Sequence, residues 1–282
     1  MSGSDRISIT GHYTGSVWYY NKMSIDALVT PVGKVMYHAM QPMNRISRRL
    51  FGLDMDGHLL QRHHVMDHLI ANHVEHNGIE QILEIACGLS PRGTLLKKQY
   101  GEKLLYIEAD LPAMAARKRR LLQKEGLLGD QHQVVDCDIL AKEGNVTLEA
   151  IFANKLDASK KTLVITEGLV NYFPLELISG FWGRLATLLT QNTGGVYISD
   201  IYPLLKSHPQ FRFLKRSKKL IEIVARGEVP FHFSSHEEME QHFRTLGFDS
   251  FNIHVPENYK QSLSLPISQR AASIVRVIEG IV

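Results

Sequence analysis

Residues 82–93, ILEIACGLSPRG, decide the fold of this 282-residue chain. The first four residues are typical of a short buried strand, and Glu84 places a carboxylate near its end. Gly88 lets the backbone turn sharply and approach a ligand closely. Ser90 is a good helix N-cap and Pro91 suits the first helical position, so we expect a helix to begin at once. A strand, a glycine turn and a capped helix predict a cofactor-binding corner.

The spacing within this corner discriminates between cofactor classes. A dinucleotide fingerprint, G-x-G-x-x-G, needs glycine where Ser90 stands, and a phosphate loop, G-x-x-x-x-G-K-[ST], needs lysine where Thr94 stands. Glu84 would repel a pyrophosphate and tolerate an ammonium. The corner therefore favours S-adenosylmethionine, which carries a carboxylate, an ammonium and a ribose but no phosphate. An ordinary strand–helix turn without a ligand is the alternative.

Composition excludes several classes of partner. Hydrophobic residues make up 44% of the chain, which permits a sizeable core. The formal net charge of +3 is small and the basic residues are spread along the chain, so we expect no nucleic-acid partner. Cys87 and Cys137 are too few for a disulfide framework. The amino terminus is polar and has no apolar h-region, so we expect no secretory signal, and no apolar run approaches the roughly 20 residues of a membrane helix. We expect a cytoplasmic protein with no membrane partner.

Strand-like and helix-like segments alternate along the chain from residue 81 onward. This alternation predicts an α/β fold, a mostly parallel sheet with helices on both faces. Ser235 and Glu238 form a capping box, which opens a helix that ends at Gly247. The predicted strands are 82–85, 104–108, 133–135, 162–166, 196–199, 251–255 and 274–278.

Two regions interrupt the alternation within a single domain, 1–282. Residues 1–80 have helical apolar spacing and are predicted to form a cap on the sheet. Residues 203–232 have the pattern of an amphipathic lid insertion over the carboxyl ends of the strands, where ligands bind in open sheets. The cofactor-binding core is then 81–202, and 233–282 completes the sheet.

Charged residues near the predicted strand ends are candidates for ligand contacts. An acidic residue about 20 residues past the glycine turn suits ribose hydroxyls, and either Glu108 or Asp110 could serve. A carboxylate within 134–140 could accept from an adenine amino group, or simply close an Asx-turn. Glu167 could meet an ammonium, and Arg62 could grip a carboxylate bidentately. Helix capping and ordinary surface charge are the alternatives.

Several histidines in the amino-terminal region suggest a metal site. His64 and His68 share a helix face at i, i+4 spacing, with His63 and His73 nearby. A zinc-protease helix needs glutamate directly after the first histidine, where Val65 stands. We therefore expect no metal site.

Together, residues 60–67, 83–93, 106–122, 134–140 and 166–174 resemble the leucine carboxyl methyltransferase-like family. This family belongs to the class I S-adenosylmethionine-dependent methyltransferases and includes O-methyltransferases of polyketide biosynthesis. The resemblance implies a Rossmann-like seven-stranded sheet in the order 3-2-1-4-5-7-6 with the last strand antiparallel. It also implies S-adenosylmethionine as the cofactor and S-adenosylhomocysteine as the product.

The resemblance assigns roles at the methionine end of the cofactor. Arg62 should bind its carboxylate, Glu167 should face its amino group, and Gly88 should lie under its methionine part. Family members often have G-x-G or G-x-G-x-D/S after the acidic strand that ends near Glu84. Residues 88–93, GLSPRG, depart from that pattern.

The resemblance also assigns roles at the nucleoside end. Asp110 should hold the ribose in preference to Glu108. Asp138 and Ile139 should frame the adenine.

The implied reaction is O-methylation of a hydroxyl or carboxyl of a small molecule, and the family's polyketide O-methyltransferases suggest a polyketide-like acceptor. A carboxylate acceptor needs no base, whereas a hydroxyl would need one. The alternatives are a protein C-terminal carboxyl methyltransferase and a non-catalytic cofactor-binding protein. Candidate bases, chosen by location alone, are His12, Tyr13, Tyr172, Tyr202 and His232.

Overall fold

The structure is a computed structural model of the chain. It describes residues 3–52, 54–208, 211, 230–268 and 271–282.

The described residues contain one seven-stranded sheet in the order β3-β2-β1-β4-β5-β7-β6, which confirms the predicted topology. Strands β1 to β5 pair in parallel, and β7 runs antiparallel to both β5 and β6. The strands are β1 Gln81–Ile85, β2 Leu105–Asp110, β3 His132–Asp136, β4 Thr162–Thr166, β5 Gly195–Ile201, β6 Ser250–His254 and β7 Arg276–Ile281.

Among the described residues, three α-helices precede the sheet and the other α-helices follow its strands, in agreement with the predicted helical amino-terminal region. No helix in the described ranges is both long and apolar enough to cross a membrane. The helices are α1 Gly3–Tyr20, α2 Pro31–Phe51, α3 Met55–His76, α4 Arg92–Tyr100, α5 Pro112–Lys124, α6 Leu148–Lys155, α7 Leu175–Gln191 and α8 His236–Thr245.

Side-chain caps fix the starts of the helices around the sheet. Asp54 accepts a hydrogen bond from the Gly57 amide at 2.8 Å and so opens α3. Ser235 accepts from the Glu238 amide at 3.1 Å, which confirms the predicted start of α8. The Glu238 carboxylate returns to the Ser234 amide at 2.9 Å and completes the cap one residue earlier than an ideal capping box.

The core lies on both faces of the sheet, as expected for parallel strands. Every residue of β1 and β4 is buried. On one face, Trp182 of α7 and Phe243 of α8 belong to a cluster with Val164. On the other face, Met66 of α3 packs in a cluster with Ile82. Because α3 covers the sheet directly, it can carry side chains to the edge where the parallel strands end.

Helix α4 begins one residue later than the sequence predicts. The Ser90 amide donates to the Cys87 carbonyl at 2.9 Å, so Ser90 closes a tight turn and is not the N-cap. Pro91 is the N-cap residue instead of the first helical residue, and the helix begins at Arg92. The Ser90 hydroxyl still accepts from the Arg92 amide, at 3.3 Å.

The predicted lid, 203–232, lies largely outside the described residues, since 209–210 and 212–229 are not described. Its two ends are described and lie side by side. The Leu204 amide donates to the Phe233 carbonyl at 3.0 Å. The lid, and the division of the chain into cap, core and carboxyl-terminal part, remain predictions.

Gly93 sits where α4 packs closely on the sheet. A Cβ at Gly93 would lie 2.7 Å from His132 Nε2 and closer still to Glu108 Oε1, and both side chains are buried. We expect Gly93→Ala to lower the free energy of unfolding by about 3 kcal/mol through overpacking. Gly180→Ala in α7, where a Cβ meets nothing within 4 Å, is the matched control and should be neutral or stabilising by up to about 1 kcal/mol. Urea unfolding measures both; equal stability of Gly93→Ala and wild type would contradict the packing account.

Candidate active site

The parallel strands end at one edge of the sheet, and the charged candidates gather there. In register, Ile85 of β1 pairs with Ala109 of β2 and with Thr166 of β4. Thr166 pairs in turn with Ser199 of β5. The residues that follow these positions therefore share one edge, as expected for ligand sites in open sheets.

Arg62 of α3 reaches this edge and is almost fully buried. Its Nε donates to Glu167 Oε1 at 3.0 Å and its Nη1 to Asp200 Oδ2 at 2.8 Å. Burial alone would lower the pKa of Arg62, but Asp200, Tyr202 and Glu167 raise it, so the guanidinium stays charged. Gly168, at φ +68°, makes room for it, because a Cβ there would lie 2.9 Å from Arg62 Nη2.

Glu167, directly after β4, is the centre of a cluster of charged side chains at this edge. Its Oε1 accepts from Arg62, and its Oε2 lies 2.8 Å from His63 Nδ1 and 2.7 Å from Arg92 Nη2. Burial alone would raise the pKa of Glu167, but His63, Arg92 and Arg62 together hold it well below its usual value. The structure thus joins the two sequence candidates Arg62 and Glu167 in one buried ion pair.

Arg92 is the main site residue that sequence reasoning missed. Its side chain is 1% exposed and donates to Asp67 Oδ1 at 2.6 Å, Glu84 Oε1 at 2.5 Å and Glu167 Oε2 at 2.7 Å. A cation in the first turn of a helix is disfavoured by the helix dipole. That unfavourable position was the available signal that Arg92 is held by carboxylates.

Glu84 lies within β1 and its side chain turns toward α3 and α4. Its Oε1 accepts from Arg92 and its Oε2 accepts from the Tyr106 hydroxyl at 3.0 Å. Glu84 therefore takes part in the cluster through Arg92. Direct contact between Glu84 and a cofactor remains a prediction.

His63 and Asp200 also belong to the cluster, although the sequence pattern suggested only a metal site for His63. His63 is fully buried and stacks at a tilt on Trp18, with 4.7 Å between ring centroids. Asp200 Oδ1 accepts from the Gly168 amide at 2.6 Å. Burial raises the pKa of Asp200, and Arg62 opposes that shift.

The cluster carries more negative than positive charge. Among the described residues it holds the guanidiniums of Arg62 and Arg92 against the carboxylates of Glu84, Glu167, Asp200 and Asp67. Even a protonated His63 would leave an excess of carboxylates. Such a site disfavours a polyphosphate and favours a ligand that brings positive charge.

Asp110, at the end of β2, braces the glycine turn of the corner. Its Oδ2 accepts from the Gly88 amide at 2.7 Å and its Oδ1 from the Leu111 amide at 2.8 Å. Burial raises the pKa of Asp110, and these two amides oppose the shift. Gly88 has φ +48°, and a Cβ there would meet nothing within 4 Å, so the turn leaves space beside its backbone. Each carboxylate oxygen keeps a second lone pair for a further donor.

Glu108, the other ribose candidate, is enclosed beneath α4. Its carboxylate pairs with Lys118, and its Oε1 lies 3.0 Å from His132 Nε2. Burial would raise the pKa of Glu108, but Lys118 and His132 lower it. Glu108 has no exposed surface, whereas Asp110 adjoins the open turn.

Asp138 and Ile139 follow β3 at the same edge. Asp138 Oδ1 accepts from the Leu140 amide at 2.9 Å, so the Asx-turn considered from the sequence is present. Ile139 is buried against the core. An adenine contact is compatible with the turn, because the turn occupies one oxygen of Asp138.

Two of the candidate bases lie on α1 and are tied to buried partners. Tyr13 donates to Asp56 Oδ1 at 2.5 Å, and burial followed by that bond raises the pKa of Tyr13 far above its usual value. His12 Nδ1 lies 3.1 Å from the Thr30 hydroxyl, and its Nε2 lies 3.2 Å from Arg117. Burial and then Arg117 lower the pKa of His12.

The other three candidate bases lie on, or contact, the segments that follow β4 and β5. Burial raises the pKa of Tyr202 to about 12, although Arg62, 3.4 Å from its hydroxyl, opposes the shift. The Tyr172 hydroxyl is 3.1 Å from Thr10 Oγ1. His232 Nε2 is 3.1 Å from the Val170 carbonyl, and burial lowers the pKa of His232.

Neither of two surface grooves is lined by a candidate cofactor-contact residue. One, of about 620 Å³, is lined by residues of α6 and α7, which include Ser179 and Arg184, and by Leu246 directly after α8. The other, of about 580 Å³, adjoins His73 and Val196 near the opposite ends of the strands. The candidate site is therefore defined by its charges and hydrogen bonds and not by a groove.

The described residues include no group of His, Cys, Asp and Glu side chains suited to a metal ion.

Comparison with protein families identifies this chain's relatives. The family described as "Leucine carboxyl methyltransferase" matches residues 22–181, a range that contains Arg62, Arg92 and Glu167. This match confirms the predicted family and, with it, the enzyme class of S-adenosylmethionine-dependent methyltransferases. No curated protein matches the chain.

Solved structures with low sequence identity share the fold. A DUF574 family protein from Streptomyces avermitilis is 16% identical, with 97% of this chain and 98% of that chain covered and a TM-score of 0.60. The S-adenosylmethionine-dependent methyltransferase SibL is 13% identical over 98% of this chain and 68% of its own, with a TM-score of 0.50.

The lowered pKa of Glu167 predicts a pH-dependent contribution to stability. Since the pKa of Glu167 is lower in the folded protein than its ordinary 4.5, the stabilisation is complete above that value and is lost as the pH falls below it. We expect Glu167→Gln to destabilise by about 3 kcal/mol at pH 7, because two buried guanidiniums lose a partner, and by less at pH 3. Unfolding titrations at both pH values measure this.

Glu149→Gln is the matched control for that experiment. Glu149 forms a partly exposed pair with Arg184 at 2.5 Å, so its removal should cost less than about 1 kcal/mol. An equal cost for the two substitutions, or a Glu167→Gln cost independent of pH, would contradict the charge account.

Proposed function

We propose, on the premise that this chain belongs to the leucine carboxyl methyltransferase family, that it transfers the methyl group of S-adenosylmethionine to an oxygen of a small molecule. The observation that carries the proposal is the buried Arg62–Glu167 pair at the carboxyl edge of the sheet. A cation and a carboxylate side by side are the complement of an amino acid's carboxylate and ammonium. Arg62 would bind the carboxylate and Glu167 would accept from the ammonium.

The order of the strands supports the same ligand. Across the sheet from β4 to β3, the edge presents Glu167, then Gly88, then Asp110, then Asp138 with Ile139. S-adenosylmethionine has its groups in the corresponding order: amino acid, sulfonium, ribose and adenine. Gly88 would adjoin the methionine part, where its missing Cβ leaves space. Asp110 would accept from the ribose hydroxyls, and Asp138 and Ile139 would frame the adenine.

The chemistry depends on alignment of the acceptor. S-adenosylmethionine supplies a methyl group already activated by its sulfonium, and S-adenosylhomocysteine is the product. Residues of the chain hold the two reactants in line, which can contribute on the order of 7 kcal/mol or more to lowering the barrier. The excess of carboxylates around Arg62 and Arg92 favours the positively charged cofactor.

The acceptor is a hydroxyl or a carboxyl, in a polyketide-like or other small molecule. The family's description supports a carboxylate acceptor, on a small molecule or at a protein C-terminus, as the second candidate. A screen for methyl transfer from labelled cofactor to aromatic hydroxyl compounds, to carboxylates and to peptides with free C-termini separates these candidates.

Cofactor binding is the direct test of the proposal. Titration calorimetry with S-adenosylhomocysteine should give saturable binding to the wild type. Arg62→Lys should weaken it by about 10-fold or more, because lysine cannot make the paired bonds of a guanidinium. Arg244→Lys, at an exposed pair with Glu240 on α8, is the control and should leave affinity unchanged. Absence of binding to the wild type would refute the proposal.

His232 is the base that we favour for a hydroxyl acceptor. The Val170 carbonyl can only accept, so His232 Nε2 carries the hydrogen and Nδ1 keeps a lone pair for a proton. The lowered pKa of His232 keeps the ring neutral at pH 7. Because Val170 lies in the loop that begins at Glu167, His232 adjoins that loop.

We expect His232→Ala to reduce turnover of a hydroxyl acceptor by about 100-fold or more and to leave turnover of a carboxylate acceptor unchanged. Wild-type turnover of the hydroxyl acceptor should rise with pH and level off below the ordinary histidine pKa of 6.5, since the pKa of His232 is lowered. S-adenosylhomocysteine affinity is the control and should not change. Full activity of His232→Ala on a hydroxyl acceptor would exclude His232 as the base.

A further inference from the structure

Arg62 and Glu167 each have a second charged partner besides one another. Arg62 Nη1 lies 2.8 Å from Asp200 Oδ2, on the side away from its Nε contact with Glu167. Glu167 Oε2 lies 2.7 Å from Arg92 Nη2, whereas Oε1 contacts Arg62. The four side chains thus form a row of alternating charges in the order Asp200, Arg62, Glu167 and Arg92.

Opening the contact between Arg62 and Glu167 costs free energy. The contacts of Asp200 with Arg62 and of Arg92 with Glu167 reduce that cost. All four side chains are between 1% and 7% exposed, so a charge left without a partner there would be strongly unfavourable. If Arg62 and Glu167 turned toward the two charges of an amino acid, Asp200 would still compensate Arg62 and Arg92 would still compensate Glu167.

We propose that Arg92 and Asp200 are positioning residues for the amino-acid end of the ligand, which hold Glu167 and Arg62 in place when the Arg62–Glu167 bridge opens to accept an ammonium and a carboxylate. This inference rests on the proposed function and deepens it. Neither residue needs to touch the ligand. Glu167 Oε1, now bonded to Arg62, is the oxygen that exchanges its partner.

Both positioning residues are anchored independently of the bridge. Arg92 also donates to Glu84 Oε1 and Asp67 Oδ1, and Glu84 is held in turn by the Tyr106 hydroxyl. Asp200 accepts from the backbone amide of Gly168 at 2.6 Å. Opening the bridge therefore leaves the anchors intact.

The geometry at Arg92 requires a guanidinium. Its Nε, Nη1 and Nη2 donate in different directions to Asp67, Glu84 and Glu167 at 2.5 to 2.7 Å. A lysine ammonium is a single point charge and cannot span three carboxylates arranged around a plane. Arg92→Lys therefore keeps the charge and removes the positioning.

Two ligands separate positioning of the amino-acid end from general support of the fold. S-adenosylhomocysteine has the amino-acid end, and 5′-methylthioadenosine keeps the adenosine and thioether but lacks it. We expect Arg92→Lys and Asp200→Asn each to weaken S-adenosylhomocysteine binding by about 10-fold or more. Binding of 5′-methylthioadenosine should change by less than about 2-fold. Titration calorimetry of the whole chain, as wild type and as each variant, measures all six affinities.

Each outcome decides the inference. If the variants bind both ligands more weakly by the same factor, Arg92 and Asp200 only support the fold. If the affinities for both ligands are unchanged, the two residues position nothing. Either result overturns the proposal. If Arg92→Lys does not fold by circular dichroism, Asp200→Asn decides alone, since its amide oxygen can still accept from Gly168. Arg244→Lys is the matched arginine control.

Failure of this inference differs from failure of the proposed function. If the wild type binds neither ligand, the proposed function fails. If the wild type binds both ligands and the variants keep the wild-type ratio of the two affinities, only the positioning roles fail.

Discussion

A buried carboxylate shared between two guanidiniums is the constraint on which this structure depends. Glu167 follows β4, Arg62 comes from α3 and Arg92 from the first turn of α4. Since a buried charge without a partner is strongly unfavourable, these pairs fasten α3 and the glycine-turn corner to the central strand of the sheet. The same contacts bring an arginine and a carboxylate together at the edge where parallel sheets bind ligands.

In the proposed function, charge balance and strand order select the ligand. The glycine turn at Gly88 offers space but no lysine, and the surrounding cluster holds more carboxylates than guanidiniums among its described members. That combination disfavours phosphate and suits a ligand with a cationic centre. The site residues follow one another across neighbouring strands, so a single extended ligand could contact them in turn.

Local patterns predicted most of the fold, because strands and helix caps depend on neighbouring residues. The strand order came from family resemblance, which also assigned Arg62 and Glu167. Arg92 and Asp200 were missed because their partners are distant in sequence: Arg92 and Glu167 are 75 residues apart, and Arg62 and Asp200 are 138 apart. Ser90 was assigned as the N-cap of α4, but its amide closes a turn on the Cys87 carbonyl, which local propensity alone does not reveal.

A crystal structure of the chain with S-adenosylhomocysteine bound is the most direct test of the central claim, that this charge cluster receives the amino-acid end of the cofactor. The account predicts that the Arg62–Glu167 contact is replaced by contacts of Arg62 with the ligand's carboxylate and of Glu167 with its ammonium, while the Arg92–Glu167 and Arg62–Asp200 pairs persist. A ligand bound with its amino-acid end elsewhere and the Arg62–Glu167 bridge intact would contradict it.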